Sequence, residues 1–471
     1  MPDLRKNTFF VSLGQGVQLL LALLLMPFAA RFLGDADFGR YSLASTLMFF
    51  VFLANDLGLN TWLTREAARE REASRRLLAR VLGIKLAAAP VAYGLLVLFL
   101  AVAGFDQVTR RAVEIFAVYG ITSSLGQAFT AIFRAHERMQ FETLVVVAEK
   151  ALITGLGLFL LVQGFGIEEF SAVFPLAGFA SAALAASMLW ARFFRPGIAF
   201  DFPAWPGTLR VSVAFGISVF LATVYNKIDV VMLSMMQSVA VVGWYSAAYK
   251  LLAFTNVVPN IAATVLFPRL SVYSKSDSKG LSHLFGQAML YLSALALPMI
   301  PGGILLAPQI IHTVFGPEYA QAVPALQILV VAAGILFLNI FLASLYGAAN
   351  FQTKLVGIQT LGLALNVGLN WVLIPRFAHL GAAAATVATE GTIFVVTVAL
   401  ALRRIARPEG LGEIWKVILA TVVMTASLIL LLDLNWVLLA AMGAALYATT
   451  LWVLRFGPLL ALRSGASSWT S

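Results

Sequence analysis

The stretch YAQAVPALQILVVAAGILFLNIFLASLYGAANFQT, from Tyr319 to Thr353, contains no Asp, Glu, Lys or Arg in 35 residues. A helix needs about 20 predominantly apolar residues to cross a bilayer, so this stretch can hold one crossing and a flanking loop. A β-barrel strand would instead alternate in hydrophobicity over about ten residues, and this stretch does not. It predicts a membrane-spanning helix, because each backbone N–H and C=O must find its partner within the segment.

The same pattern recurs along the chain. Hydrophobic residues make up 61% of the sequence and charged residues only 11%, against about 25% charged in a typical soluble domain. The mean hydropathy is +0.90, so the apolar excess is global. We therefore predict an all-α, polytopic membrane protein with about fourteen transmembrane helices. The predicted spans are 8–32, 41–64, 82–104, 112–134, 143–164, 169–192, 211–234, 241–267, 284–307, 323–349, 355–375, 380–402, 416–432 and 435–454.

The distribution of basic residues predicts the orientation. With the N-terminus in the cytoplasm, 25 of the 32 Lys and Arg residues fall in inner segments. Cytoplasmic loops carry such an excess, so both termini are expected in the cytoplasm. We interpret Arg65 to Lys85 as a basic helix on that side, and the net charge of +10 as a topology and anionic-lipid signal. No basic soluble face is present, so nucleic acid is not an expected partner. Five basic residues fall on the outer side: Arg31, Arg40, Arg110, Arg111 and Arg376.

Two short stretches match at an offset of 204 residues. FGRYSLAS, from Phe38 to Ser45, aligns with VGWYSAAY, from Val242 to Tyr249, each at the outer start of a predicted span. Six spans separate them, so the sequence predicts two parallel six-helix repeats, as in transporters whose halves rock around a central site. The predicted domains are a bundle over 1–205, a second bundle over 206–405, and two additional transmembrane helices with a cytoplasmic tail over 406–471.

The seventh predicted span carries the densest polar pattern. Asp229, Asn226, Tyr225, Ala222 and Ser218 follow helical spacing and form one stripe. Charged groups in hydrocarbon cost about 2.5 to 3.5 kcal/mol each on insertion scales, so this stripe is expected to face a cavity between the halves. Lys227 lies on another face of the helix and is expected either to extend toward the interface or to face a neighbouring helix.

The eighth predicted span supplies further candidates. Tyr249, Asn256 and Lys250 lie in it, and Lys250 is about as deep in the membrane as Asp229. One interpretation is a functional pair of substrate- or ion-binding residues, in which Asp229 holds the charge of Lys250 while the site is empty. The alternative is that the two charges only neutralise each other.

Other predicted spans contain isolated polar groups. Asn55, Asp56 and Asn60 form a polar group in the second span, although hydrogen bonding at a helix end also accounts for Asn60. Glu390 is the acid of the twelfth span and is expected to be protonated or paired. Glu149 and Lys150 are interpreted as interfacial anchors.

Sequence motifs of enzymes are missing. The chain has no cysteine, its four histidines are far apart, and it contains no HExxH, GxSxG, Walker A or GxGxxG sequence. We therefore expect no catalytic residue, no metal site and no cofactor, and we interpret the chain as a transporter. The leading alternative of another class is an intramembrane glycosyl polymerase or acyltransferase. A large outer loop with clustered His, Arg or Asp would favour that alternative, and this chain lacks one.

The run FLGDADFGRYSLASTLMFFVFLANDLGLNTWLTREAAR, from Phe32 to Arg69, resembles the first-loop and second-span signature of bacterial polysaccharide (O-antigen type) flippases. DVVMLSMMQSVAVVGWYSAAYKL, from Asp229 to Leu251, resembles their seventh and eighth spans. The FRAHERMQ stretch and LGAAAA, from Leu380 to Ala385, also fit. This family belongs to the multidrug/oligosaccharidyl-lipid/polysaccharide exporter superfamily.

The resemblance implies two six-helix bundles and two extra helices in a bacterial cytoplasmic (inner) membrane. It implies movement of an undecaprenyl-pyrophosphate-linked oligosaccharide from the cytoplasmic to the outer leaflet, by alternating access. Coupling to H+ or Na+ and cooperation with a polysaccharide polymerase and assembly proteins are expected. Two alternatives share the fold: a drug/cation antiporter of the multidrug and toxin extrusion type, and a lipid II flippase.

Overall fold

The computed structural model describes residues 4–431 and 435–457. Within these ranges the chain forms fourteen α-helices and four short 3-10 helices, and no β-strand. The predicted cytoplasmic tail beyond residue 457 and the side chain of Ser218 lie outside the described part. The helices are α1 (Leu4–Asp56), α2 (Leu59–Arg69), α3 (Ser74–Ala103), α4 (Gln107–Ala135), α5 (Met139–Val162), α6 (Ile167–Arg192), α7 (Trp205–Met236), α8 (Val239–Thr255), α9 (Val257–Ser276), α10 (Ser278–Val314), α11 (Ala322–Ala348), α12 (Gln352–Arg404), α13 (Ile414–Leu430) and α14 (Trp436–Val453).

The number of membrane crossings agrees with the sequence. Twelve helical segments of the described ranges are long and apolar enough to cross a membrane. Two helices, α1 and α12, have 53 residues each, and a non-helical residue interrupts each of them, Gly34 in α1 and Ala378 in α12. At 1.5 Å per residue each would be about 80 Å long if straight, more than twice the hydrocarbon thickness of about 30 Å. Each therefore supplies two crossings, which gives fourteen in total.

Several predicted boundaries are wrong. The predicted span 41–64 ends at Asp56, where Leu57 and Gly58 adopt φ of 48° and 77° and the chain turns into α2. The predicted span 241–267 lies within one longer segment, Val239–Ser276, in which Asn256 separates α8 from α9. The predicted basic helix over residues 65–85 is also divided, because the backbone of Glu70 is non-helical between α2 and a short 3-10 helix.

The chain divides into two compact units, Met1–Gly243 and Trp244–Ser471. In the first unit α4 occupies the interior, where it packs against α1, α2, α3, α5 and α6. Asp106 caps its N-terminus by accepting the backbone N–H of Thr109. Burial acts to raise the pKa of Asp106, but hydrogen bonds from Thr109 and the charge of Arg40 outweigh it, so this pKa lies below its usual value.

The two repeated glycines found in the sequence pack against each other within the first unit. A Cβ atom on Gly39 would overlap the carbonyl oxygen of Val239, and a Cβ atom on Gly243 would overlap that of Asp35. Asp35 and Val239 are separated by the same 204 residues as the glycines, so the contact is reciprocal. Only glycine allows these two backbones to approach so closely.

In the second unit α10 packs against α9, α11, α13 and α14. An apolar groove of about 360 Å³ lies between α10, α13 and α14. Pro298, Gly302 and Gly303 of α10 form one wall, and the small side chains leave space that Met424 and Tyr447 border on the other side. The predicted domain boundaries, 1–205, 206–405 and 406–471, stay a prediction.

Candidate functional site

A buried ion pair joins three helices of the first unit. The Nζ atom of Lys85 on α3 lies 2.7 Å from Oδ1 of Asp56, the last residue of α1. It also donates to the carbonyl oxygen of Ser124 on α4 at 2.7 Å and to its Oγ at 2.8 Å. An ammonium has three donors, so the Lys85 side chain, which is 0% exposed, is fully hydrogen-bonded. The pair fastens α1 and α3 to the interior helix α4.

Asp56 also stabilises the break between α1 and α2. Its Oδ2 accepts the backbone N–H of Gly58 at 3.1 Å, and its Oδ1 accepts that of Asn60 at 3.2 Å. The first N–H groups of a helix have no partner within the helix, so this carboxylate satisfies donors of α2 that would otherwise be lost. The backbone of Asn60 therefore takes part in helix-end hydrogen bonding, as one of the two sequence interpretations proposed.

The structure corrects the interpretation of Lys85. The basic residues around it predicted a basic cytoplasmic helix, but the Lys85 side chain lies inside the first unit, where Asn55 donates to its backbone carbonyl at 2.7 Å. The signal was present in the sequence: apolar residues lie on both sides of Lys85, in VLGI before it and LAAAP after it. A solvated lysine at the end of a basic segment would have polar neighbours on one side.

A second network lies on another face of α4. Glu149 of α5 accepts hydrogen bonds from the hydroxyl of Tyr119 at 2.6 Å, from Oγ of Ser181 at 2.7 Å, and from Nζ of Lys150 at 3.0 Å. Lys150 also donates to the Tyr119 hydroxyl at 3.0 Å. The network joins α4, α5 and α6. Glu149 and Lys150 were expected to act as interfacial anchors, and the structure instead shows them linking three helices.

The network forms one end of a pocket of about 200 Å³, which we term the charged pocket. Arg134 and Glu142 form the opposite end, with 3.6 Å between Nε and Oε1. Glu142 and Glu149 are two turns apart on α5, or about 10 Å along its axis. Between the two ends the pocket is lined by Gln18, Ser123, Gly126, Gln127, Thr130, Val145 and Val146.

In the predicted stripe of α7, Asp229 is buried, and Ala222 and Asn226 are exposed. Asp229 is 6% exposed, whereas Asn226 is exposed and donates from Nδ2 to the carbonyl oxygen of Ala222 at 2.7 Å. Lys227 lies over the ring of Phe49 on α1, with Nζ 5.2 Å from the ring centroid, so it faces a neighbouring helix. A central cavity lined by this stripe stays a prediction.

Three candidates belong to the second unit. Tyr249 and Lys250 lie in α8, and Asn256 lies between α8 and α9. Tyr249 stacks on Tyr245 with 5.7 Å between ring centroids, and Lys250 is half-buried. Asn256 occupies the break between α8 and α9, where its carbonyl oxygen accepts the side-chain amide of Asn260 at 2.6 Å. The functional pairing of Lys250 with Asp229 stays a prediction.

Glu390 of α12 is buried and hydrogen-bonded in the second unit. Asn339 of α11 donates from Nδ2 to Glu390 Oε2 at 2.7 Å and to the Glu390 carbonyl oxygen at 3.1 Å. The sequence predicted that Glu390 is either protonated or paired, and its hydrogen-bond partner is the amide of Asn339. In residues 4–431 and 435–457, no three His, Asp or Glu side chains are grouped so that they could hold a metal ion.

Parts of this chain match one protein family and several known proteins. The pattern of the protein family described as "Polysaccharide biosynthesis protein" matches residues 4–274. The "Putative O-antigen transporter" of Escherichia coli (strain K12) is 24% identical over 409 residues, which cover 82% of this chain and 94% of the relative. The "Probable low-salt glycan biosynthesis flippase Agl15" of Haloferax volcanii is 25% identical over 163 residues. That match spans about a third of each chain, 34% of both.

Solved structures share the fold. The lipid II flippase MurJ in an inward closed conformation superposes with a TM-score of 0.80 at 14% identity, covering 96% of this chain and all of the other. A multidrug resistance MATE family transporter in an inward-facing conformation gives a TM-score of 0.66 at 15% identity, with 82% and 94% covered. The predicted all-helical, polytopic fold is confirmed.

Proposed function

Because the chain belongs to the polysaccharide biosynthesis protein family, we propose that it is a flippase for an undecaprenyl-pyrophosphate-linked oligosaccharide. It moves the lipid-linked glycan from the cytoplasmic to the outer leaflet of a bacterial cytoplasmic membrane, with both of its termini in the cytoplasm. The observation that carries this proposal is the charged pocket, a polar site enclosed by helices within an apolar membrane protein. Polar side chains in a membrane protein are costly and mark substrate or ion pathways.

The second unit supplies a surface for the lipid. The groove between α10, α13 and α14 is lined almost entirely by apolar side chains, and its volume is about 360 Å³. Ligand pockets of this size are typically apolar with few polar groups, which suits part of a prenyl chain and not a sugar. A glycan head group and a prenyl tail need surfaces of opposite polarity. The charged pocket is polar, and the groove between α10, α13 and α14 is apolar.

The chemistry of the substrate fits the remaining candidates. A pyrophosphate carries negative charge and gains most from an ammonium in a low-dielectric site, the role proposed for Lys250. The buried carboxyl groups of Asp229 and Glu390 are proposed to serve coupling to H+ or Na+. Asn55, Asp56, Asn226, Tyr249 and Asn256 complete the candidate set for substrate or ion binding. A polysaccharide polymerase and assembly proteins are the proposed partners downstream.

The first test is deletion of the gene in the organism that carries it. We expect loss of surface polysaccharide and accumulation of its lipid-linked precursor, measured by mass spectrometry of the lipid extract, with recovery when the gene is restored on a plasmid. The purified protein in liposomes should then expose the accumulated precursor to an external lectin.

Three outcomes contradict the proposal and favour its alternatives. Increased sensitivity to cationic drugs with normal surface glycan indicates a drug/cation antiporter. Lysis with arrested peptidoglycan synthesis indicates a lipid II flippase, the protein whose fold this chain shares. Longer or acylated glycans formed by the purified protein from its precursor indicate a polymerase or acyltransferase.

A further inference from the structure

The charged pocket of the first unit has balanced charge. Arg134 and Lys150 supply two positive groups, and Glu142 and Glu149 supply two negative groups. Each basic side chain lies within 4 Å of an acidic one, at 3.6 Å for Arg134 and Glu142 and 3.0 Å for Lys150 and Glu149. A phosphate would meet the carboxylates and a cation would meet the ammonium and guanidinium groups, so neither gains much. A neutral ligand with many hydroxyl groups can use both kinds of partner.

The volume of the pocket selects a ligand of one ring. An engineered protein cavity of about 150 Å³ binds benzene, a bare six-membered ring. The charged pocket, at about 200 Å³, has room for one such ring with small polar substituents. It is smaller than the pockets of about 300 to 1,000 Å³ that enclose drug-sized ligands, so a whole oligosaccharide does not fit.

The walls carry hydrogen-bonding groups at the spacing of a helix face. Ser123, Gln127, Thr130 and Arg134 follow one another along α4 toward its C-terminal end. Together with Ser181 of α6, these side chains offer hydroxyl, amide and guanidinium groups to a ligand in the pocket.

We propose that the charged pocket binds a single monosaccharide unit of the glycan head group. This inference rests on the proposed function and extends it. It assigns the charged pocket to a sugar, and not to the pyrophosphate or the coupling ion. The pocket then contributes to the choice of glycan, since only a ring whose hydroxyls match the groups of α4, α5 and α6 fits without leaving some unpaired.

The test uses the glycan itself. Mild acid releases it from the lipid-linked precursor that the deletion strain accumulates, and saturation-transfer NMR with the purified, detergent-solubilised full chain measures its binding. Val146 lines the pocket without carrying charge, so Val146→Phe fills the space and should weaken binding at least about tenfold. Leu144→Phe on the same helix is the matched control, because Leu144 is 51% exposed and does not line the pocket. This variant should bind the glycan as the wild type does.

A second variant, Gln127→Ala, keeps the test decisive if Val146→Phe does not fold. Gln127 is an exposed pocket residue, so Gln127→Ala should fold normally and weaken binding about three- to tenfold, the effect of losing one hydrogen bond. Equal glycan binding by wild type, Val146→Phe and Gln127→Ala overturns the subsite. So does a wild type that binds no glycan, or a Val146→Phe variant that keeps glycan binding and loses only the dependence of transport on Na+ or pH. A deletion strain that accumulates no precursor overturns the proposed function first, and the subsite with it.

Discussion

At the scale of single residues, the ion pair of Lys85 and Asp56 is the clearest structural determinant. Breaking a buried pair by removing one partner is strongly destabilising, whereas removing both charges often costs little, because the penalty comes from the charge left unpaired. Lys85 contacts α1 and α4 from α3, so its loss should affect the first unit as a whole.

We expect Lys85→Met to destabilise the protein by about 3 to 5 kcal/mol, because the Asp56 carboxylate stays buried without its counter-ion. The double variant Lys85→Met, Asp56→Asn should recover part of that loss, since no charge stays buried and the single amide oxygen of asparagine can still accept one of the two backbone N–H groups, that of Gly58 or that of Asn60. The measurement is the thermal unfolding midpoint of purified protein in detergent.

Arg76 provides the control, because its side chain is exposed on the same helix and Arg76→Ala should change the midpoint little. An unchanged midpoint for Lys85→Met would show that the ammonium contributes nothing to stability, and a double variant as unstable as the single one would contradict the charge argument.

At this scale the sequence predicted polarity but not partners. Asp56 and Glu390 were recognised as candidates from their position in apolar segments, and the structure gives them Lys85 and Asn339 as partners. Spacing along one helix cannot show which side chain of another helix comes within 3 Å. The charged pocket was missed for the same reason, because its residues come from four helices and Glu149 looks like an interfacial residue on α5 alone.

At the scale of helices, glycine decides how closely elements pack. The approach of Gly39 to Val239 leaves no space for a methyl group, and other glycines of the first unit face open space. Gly94 on α3 has no atom within 4 Å of the position that a Cβ would take. These two positions therefore separate the effect of glycine packing from that of glycine flexibility.

We expect Gly39→Ala to reduce the amount of folded protein in the membrane and to abolish transport, because the start of α8 would have to move away from α1. Gly94→Ala should be neutral or slightly stabilising, by up to about 1 kcal/mol, since alanine is the better helix former in an open position. Quantitative blotting of membrane fractions and the lectin assay in liposomes measure the two effects. Wild-type levels and transport for Gly39→Ala would contradict the close packing.

The sequence predicted which segments are helical better than where helices break. Charge-free runs of about 20 residues located the spans, because lipid requires them to be apolar throughout. The turns at Gly34 and Ala378 fall in the predicted gaps between spans, at 33–40 and 376–379, because Asp35 follows the first and Pro375 and Arg376 precede the second. By contrast, α1 ends at Asp56, before the positive φ of Leu57, and this end lies inside the predicted span 41–64.

At the scale of the whole molecule, topology is the property that the sequence predicts and labelling can test. The chain has no cysteine, so single cysteines can be introduced without a background. We expect a cysteine at Ser278 to be protected from a membrane-impermeant maleimide in intact cells, and one at Asp433, which lies outside the described residues, to react, because basic residues concentrate on the cytoplasmic side.

A cysteine at Arg110, in a segment predicted to lie outside, is the control for access to the outer face. Protection at Asp433 together with reaction at Ser278 would reverse the orientation, and the same accessibility at both would change the number of crossings between them.

The reciprocal contact of Gly39 and Gly243 also limits how the two copies of the repeat can diverge. After a duplication, each copy is free to change wherever it meets a different environment. These glycines have no such freedom, because each faces the other copy's equivalent of its own neighbour, Val239 for one and Asp35 for the other. A larger side chain in either copy removes the space used by both, so the two positions are physically coupled. The stretch where the repeat is still legible in the sequence is therefore the stretch where the copies constrain each other.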